Sequence, residues 1–345
     1  MTDTKRQANA SPAELEIAKW VLPVSVTSAR VPIGIAKQAR PPAIVCSAGP
    51  AAQFAWDEFV YAKLRNPHTR RAYLCAIRQF LDHCHQLEKV LTQIAPWDVG
   101  LYLDGLPHSL ATKKLHLAAL RHFFDILVTR HIVVLNPAAS VRGERLQVSE
   151  GKTPEIGVRQ ARALLTNIAI SHVVGLRDRA IIGILIYTAA RVGAVAKLRR
   201  GDFYSVADQY CFRFLEKGGK SREIPVRHDL RQFVIDYLNA ANLDYAEKSL
   251  PLFRTTVRRT QRLTQSGVTA DDIARMVKRR LKDAGLSDRL SPHSFRVTTI
   301  TDLLSQGVTL EDVQNLAGHA DSRTTRLYDR RQRQVTRNIV ERISV

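Results

Sequence analysis

Residues 291–331 read SPHSFRVTTITDLLSQGVTLEDVQNLAGHADSRTTRLYDRR, and this stretch decides how the rest of the chain is read. His293 and Arg296 share a helical face, because side chains at i and i+3 are neighbours. Val297, Ile300 and Leu304 supply the apolar side of that helix, and Gly307 occupies the place of a left-handed C-terminal residue. Thr309 followed by Asp312 has the form of a capping box for a second short helix, which carries Val313 and Leu316 and stops at Gly318. His319 follows directly. Tyr328 lies further on, in a polar, arginine-rich segment expected to be helical with little apolar face.

Upstream, Leu176–Thr188 reads as a largely buried helix that delivers Arg191 at its end, in YTAARVGAV. Burying an arginine beside so apolar a segment is costly without an anion or an acidic partner. A structural salt bridge is the plain alternative. Tyr210–Leu215 and Arg222–Val226 alternate around EKGGKS, residues 216–221, and read as a β-hairpin that thrusts Lys217 and Lys220 outward. Two turn lysines by themselves are ordinarily only solubilising.

In order and spacing these residues resemble the tyrosine recombinase (phage integrase) family, over roughly residue 51 to the C-terminus. The family pattern is an arginine after a helix, a lysine in a β-hairpin turn, His-x-x-Arg, a Gly-His pair and a nucleophilic tyrosine. Here it reads Arg191, Lys217, His293 with Arg296, His319 and Tyr328. One His-x-x-Arg would be noise, whereas the whole series in order is specific. The resemblance implies a mainly α fold with a small β-hairpin or sheet in the catalytic domain (α+β), preceded by a helical, SAM-like core-binding domain. It implies Tyr328 as nucleophile, Arg191 and Arg296 as a phosphate clamp, and His293 as base. His319 becomes a hydrogen-bond donor or a brace for the tyrosine. Lys217 becomes the acid for the leaving 5′ oxygen, with Lys220 in reserve. Two departures bear on how Arg191 is braced: Ala194 stands where the family commonly has an acidic residue, and Ala189 and Ala190 stand where glycine is usual.

A helical pattern fills the region before this. Phe54–Leu64 reads as one helix, and Asn66-Pro67 supplies an N-cap and a first-turn proline for a helix with Leu74, Ile77, Phe80 and Leu81 on one face. A helix from about Leu110 is expected to bury Leu115, Ala118, His122, Phe123 and Ile126. Thr69, Arg70, Arg71, Lys113, Lys114 and Arg121 on exposed faces suit phosphate contact, as do Lys220 and Arg222 at the hairpin, although for any one of them a solvated charge is the plainer reading. The expected division is an N-terminal arm over 1–48, a helical DNA-binding domain over 49–140, a polar linker over 141–153 and the catalytic domain over 154–345. Within the last, residues 251–267 are loaded with arginine and expected near DNA. Val335, Ile339 and Ile343 form a terminal apolar stripe that docks on its own domain or, as the resemblance suggests, on a neighbouring protomer.

Composition points the same way. Lys and Arg outnumber Asp and Glu 52 to 32 over 345 residues, for a formal charge of +20. A polyanion is the expected partner, with nucleic acid first. Cys46, Cys75, Cys84 and Cys211 show no metal-ligand spacing, and Cys75 and Cys84 read as core thiols. The N-terminal residues lack a signal peptide's apolar core, and the longest apolar run, residues 180–190, is too short to span a bilayer. A cytoplasmic protein is expected. There is no P-loop, acidic metal cluster or zinc spacing, so neither metal nor cofactor is expected. The function expected is a site-specific DNA recombinase acting on double-stranded DNA sites as a homotetramer, with or without a partner recombinase. The alternatives are a type IB topoisomerase-like relaxing enzyme and an inactive DNA-binding relative.

Overall fold

The computed structural model describes residues 40–144, 153–215, 221–243, 247–258, 260–319 and 321–328. The chain divides into two compact units between Gln147 and Val148. It is mainly helical, with two small antiparallel sheets in the second unit. Among the described residues no helix is long and apolar enough to cross a membrane.

The first unit contains α1 (Ala43–Ser47), α2 (Pro50–Asp57), α3 (Pro67–Gln86), α4 (Pro96–Gly105) and α5 (Leu110–Thr129). In α1, Ile44 and Val45 are buried in the unit's core, so packed structure begins inside the stretch expected to be an arm. The helix expected over Phe54–Leu64 starts earlier, at Pro50, and widens into a π-helical turn over Glu58–Lys63. Asn66 caps α3, its Oδ1 accepting from the backbone N–H of His68 at 2.9 Å and of Thr69 at 3.2 Å, a cap worth about 1 kcal/mol. Leu74, Ala76, Ile77, Phe80, Leu81 and Cys84 form the buried stripe of α3. Cys75 is exposed rather than a core thiol, because it lies one residue round from Leu74 on the outward face.

The buried face of α5 also differs from expectation. His116 and Leu117, Ala119 and Leu120, Phe123 and Phe124, Ile126 and Leu127 are inside, while Leu115 and Ala118 only flank the core and His122 is exposed. The stripe is two residues wide because α5 packs between neighbours. Phe123 meets Trp56 and Phe59 edge-on at 5.6 and 5.4 Å, and Phe80 meets Tyr102 at 5.1 Å. Such offset aromatic contacts add stabilisation beyond the area they bury.

The second unit is built on α7 (Val173–Tyr187), which follows α6 (Val158–Asn167). Nearly every side of α7 is covered, as its largely apolar sequence after Arg179 requires. After the short α8 (Val192–Val195) come β1 (Phe203–Val206), β2 (Gln209–Leu215) and β3 (Ser221–Pro225), in that order across one sheet. Phe203 pairs with Phe212, and Phe212 with Ile224, so the buried positions share one face by the two-residue strand period. Then α9 (His228–Ala240) crosses α7 closely: a Cβ on Gly183 would sit 3.0 Å from Leu230 and 3.1 Å from Phe233. The arginine-loaded segment is a second hairpin, β4 (Arg254–Thr256) with β5 (Leu263–Gly267). It leads to α10 (Ala270–Asp283), α11 (Pro292–Ser305), α12 (Leu310–Ala317) and α13 (Ser322–Arg326).

One buried carboxylate ties this unit together. Asp178 on α7 is wholly buried; its Oδ1 accepts from Arg177 at 2.8 Å and its Oδ2 from Arg279 at 3.0 Å and Arg280 at 2.8 Å, both on α10. Arg177 also donates to the carbonyl of Arg254 on β4 at 2.8 Å. Removing one partner of a buried ion pair strands the other charge. Asp178→Ala is therefore expected to lower the stability of the second unit by about 3–5 kcal/mol. The check is urea unfolding followed by far-UV circular dichroism, since Trp20, Trp56 and Trp97 all precede this unit and tryptophan fluorescence does not report on it.

Candidate active site

Arg191, His293, Arg296, His319 and Tyr328 converge where α11, α12 and α13 meet the end of α7. Arg296, on α11, is 1% exposed and donates through Nη1 to the carbonyl of Ala189. Ala189 has φ +49°, in the left-handed region that glycine favours, so the turn keeps its glycine-like shape although the residue is alanine. Arg191 is the N-cap residue of α8. Its side chain is exposed and its Nη2 donates to the carbonyl of Gly318 at 3.2 Å. The burial cost expected at Arg191 thus falls on Arg296 instead, because Arg191 leaves the helix at an exposed turn.

Gly318, with φ +62° and ψ +45°, ends α12 in a left-handed cap and turns the chain so that His319 faces inward. His319 Nδ1 lies 2.9 Å from Thr325 Oγ1. Its ring stacks on Tyr328, with centroids 6.1 Å apart and planes 8° from parallel. Tyr328 is 9% exposed and packs with Val297, Ile300, Leu304, Val313 and Ala317. Its hydroxyl lies 3.3 Å from Nε2 of His293. Tyr328 is not helical as expected: α13 ends at Arg326, and the tyrosine sits in the following turn, its N–H donating to the carbonyl of Thr325 at 3.0 Å. The polar helix is kept in place by the phenol and by Thr325, which supply the apolar contact its sequence otherwise lacks.

Lys217 and Lys220 lie outside the described residues, as do Val335, Ile339 and Ile343. Arg222, on β3, is drawn to this region rather than free on the surface: Nη1 donates to the carbonyl of Leu316, and the guanidinium lies 5.5 Å over the Phe214 ring. Ala194 is half-buried against the core, where an acidic side chain would need a partner. The carbonyls of Ala189 and Gly318 and the hydroxyl of Thr325 are parts of the site that no sequence pattern announces, apart from the place of Thr325 three residues before the tyrosine.

Removal from water, and then the charges of Arg296 and Arg191, hold the His293 imidazole below its ordinary range. The residue as a whole reaches the surface, but its ring is crowded by the site. The same causes, joined by His293 and Arg222, push His319 down to about 3. Burial raises the Tyr328 phenol above its ordinary value, against the pull of Arg296 and Arg191. At neutral pH both imidazoles are therefore uncharged and the phenol is protonated. An uncharged His293 can accept the phenolic proton. The two guanidiniums offer fixed positive charge beside it.

In the first unit the residues expected to meet phosphate divide into two groups. Thr69, Arg71 and Lys114 are exposed. Arg121 is not a surface contact: its Nε donates to the carbonyl of Ala138 at 3.0 Å and its Nη2 reaches that of Val141. It ties the chain after α5 back onto that helix, because those carbonyls have no regular structure to satisfy them. Arg70 donates to the carbonyl of Leu64 at 2.9 Å, and Lys113 to that of Asp104 at 3.2 Å, so both are partly committed to the fold.

The model of the phage integrase family matches residues 156–334, and that of the phage integrase N-terminal SAM-like domain matches residues 56–131. The tyrosine recombinase XerC of Chlamydia trachomatis serovar L2 is 29% identical over 224 residues, covering 64% of this chain and 67% of that protein. The XerC of Leptospira interrogans serovar copenhageni is 26% identical over 265 residues, covering 76% and 82%. Among solved structures, the XerH site-specific recombinase bound to a palindromic difH substrate superposes with a TM-score of 0.62 at 21% identity, covering 79% of each chain, a likeness of fold.

Two outcomes are expected. Both imidazoles are held below their ordinary value of 6.5 in the folded chain and regain it on unfolding, so below that pH the unfolded chain binds more protons. Stability of the second unit should fall as pH drops from 6.5 toward about 3, and His319→Asn should flatten the dependence. Unfolding midpoints at neutral pH and about pH 5 check this. Separately, Arg121→Met should destabilise the first unit by about 1–3 kcal/mol, read from the fluorescence of Trp56 and Trp97 during unfolding.

Proposed function

The chain belongs to the phage integrase family, and on that premise we propose that it is a site-specific DNA recombinase that cleaves and rejoins strands through a 3′-phosphotyrosine at Tyr328. The observation that carries this is the 3.3 Å approach of His293 Nε2 to the Tyr328 hydroxyl in a site that also holds Arg191 and Arg296. An ordinary phenol, with a pKa near about 10, must lose its proton as it attacks. His293 takes that proton. The phenol oxygen bonds to phosphorus as the bond to the 5′ oxygen breaks, and Lys217, between β2 and β3 in sequence, protonates the leaving oxygen. Attack by another strand's 5′ hydroxyl on the tyrosyl ester reverses these transfers and reseals the backbone. One phosphodiester is exchanged for another at each step, so the chemistry balances without ATP or a divalent metal.

The phosphorane passed on the way carries extra negative charge on its non-bridging oxygens. Arg191 and Arg296 stabilise it, because preorganised charge aimed at the transition state is usually the largest catalytic contribution. Their anchors support the assignment: each guanidinium donates to a backbone carbonyl, of Gly318 and Ala189, which helps fix its direction. The match of the first unit to the family's SAM-like domain supports recombination over simple relaxation. Its exposed Thr69, Arg71 and Lys114 are assigned to the DNA backbone. The partners proposed are double-stranded recombination sites, paired and held by four copies of the chain.

The test is covalent trapping in EDTA without ATP, on labelled duplex DNA from the region flanking the chain's own gene. A detergent-stable adduct with the wild type and none with Tyr328→Phe is expected; an adduct that survives Tyr328→Phe overturns the choice of nucleophile. Arg191→Lys and Arg296→Lys should each slow adduct formation by about 10²–10³, since lysine cannot fork onto two oxygens.

A further inference from the structure

Thr325 is wholly buried, and two of its groups touch the reacting assembly. Its hydroxyl lies 2.9 Å from His319 Nδ1, and its carbonyl accepts the N–H of Tyr328 at 3.0 Å. Among the described residues that hydroxyl has this one hydrogen-bond partner. A hydroxyl offers one donor and two acceptor sites, and a buried donor left unused is costly, whereas a spare lone pair is cheap. The proton of Thr325 is therefore directed at Nδ1, which must be the unprotonated ring nitrogen.

We propose that Thr325 is a positioning residue: by donating to Nδ1 it holds His319 as the Nε2–H tautomer, an uncharged hydrogen-bond donor for the scissile phosphate. The ring is neutral in this site, so it has a single proton to place, and the contact with Thr325 decides where that proton sits. The stacked geometry of His319 on Tyr328 is set by the same residue, since its carbonyl holds the tyrosine's peptide while its side chain holds the imidazole. The guanidiniums of Arg296, Arg191 and Arg222 donate and never accept, whereas the Thr325 hydroxyl, which can do either, is the group that meets Nδ1 at 2.9 Å. The inference rests on the catalytic reading above.

Thr325→Val keeps the shape and removes the hydroxyl, and Thr325→Ser keeps the hydroxyl and removes a methyl. Single-turnover adduct formation should fall roughly ten- to a hundredfold in Thr325→Val, with DNA affinity unchanged within about twofold. Thr325→Ser should restore most of the rate. Imidazole ¹⁵N–¹H correlation spectra of histidine-labelled protein, with His319 identified by its loss in His319→Asn, should show the Nε2–H pattern in wild type and Thr325→Ser. In Thr325→Val that pattern should become mixed.

A wild-type rate in Thr325→Val overturns the proposal, as does an equal fall in both variants or a loss confined to DNA affinity. If the wild type forms no adduct, the catalytic reading fails first. The spectra then judge Thr325 alone: a wild-type Nε2–H pattern that survives unchanged in Thr325→Val, or no such pattern in the wild type, overturns it.

Discussion

A guanidinium almost completely withdrawn from water is the constraint on which the second unit's site depends. Arg296 is 1% exposed, and a charge so placed must be given hydrogen-bond acceptors by the fold. The carbonyl of Ala189 is one of them. Providing it requires the chain to turn sharply after α7, with Ala189 in a conformation that costs a non-glycine residue about 1–2 kcal/mol. That turn also decides where Arg191 emerges. Arg191 meets the carbonyl of Gly318, so the first arginine is aligned with the His319 turn through a main-chain contact. Ala194, where the family commonly carries an acid, does not leave Arg191 unbraced, because a carbonyl does the bracing.

This choice of partner has an electrostatic consequence. A neutral carbonyl carries no charge of its own to set against that of the two guanidiniums, and the positive charge of the pair acts on its neighbours. It helps depress His293 and His319 and opposes the rise of Tyr328. Elsewhere in the same unit the opposite design occurs. Asp178 pairs with three arginines on α7 and α10, and its single negative charge serves cohesion. Arginine thus plays two roles in one unit, and the partner, not the residue type, tells them apart.

The same distinction separates the cations of the first unit. Six polar residues there looked alike in sequence as phosphate contacts. Arg121 is occupied by the carbonyls that follow α5, and Arg70 and Lys113 by others, whereas Thr69, Arg71 and Lys114 remain turned outward. A charge of +20 describes the whole chain and says little about any one of its cations.

Much was legible from the residues themselves. Helix periodicity, the Asn66-Pro67 start, the capping of α12 by Thr309 and the left-handed Gly318 are local, and local rules decide them. The order of Arg191, His293, Arg296, His319 and Tyr328 identified the family before any geometry was known. What only tertiary structure decided is nonlocal. Which arginine is buried, which face of α5 turns inward, how residues 251–267 pair into a hairpin and which hydroxyl meets His319 all depend on packing between segments far apart in sequence. Backbone carbonyls do much of that work, and every residue has one. A sequence therefore cannot mark the few that the fold brings to bear.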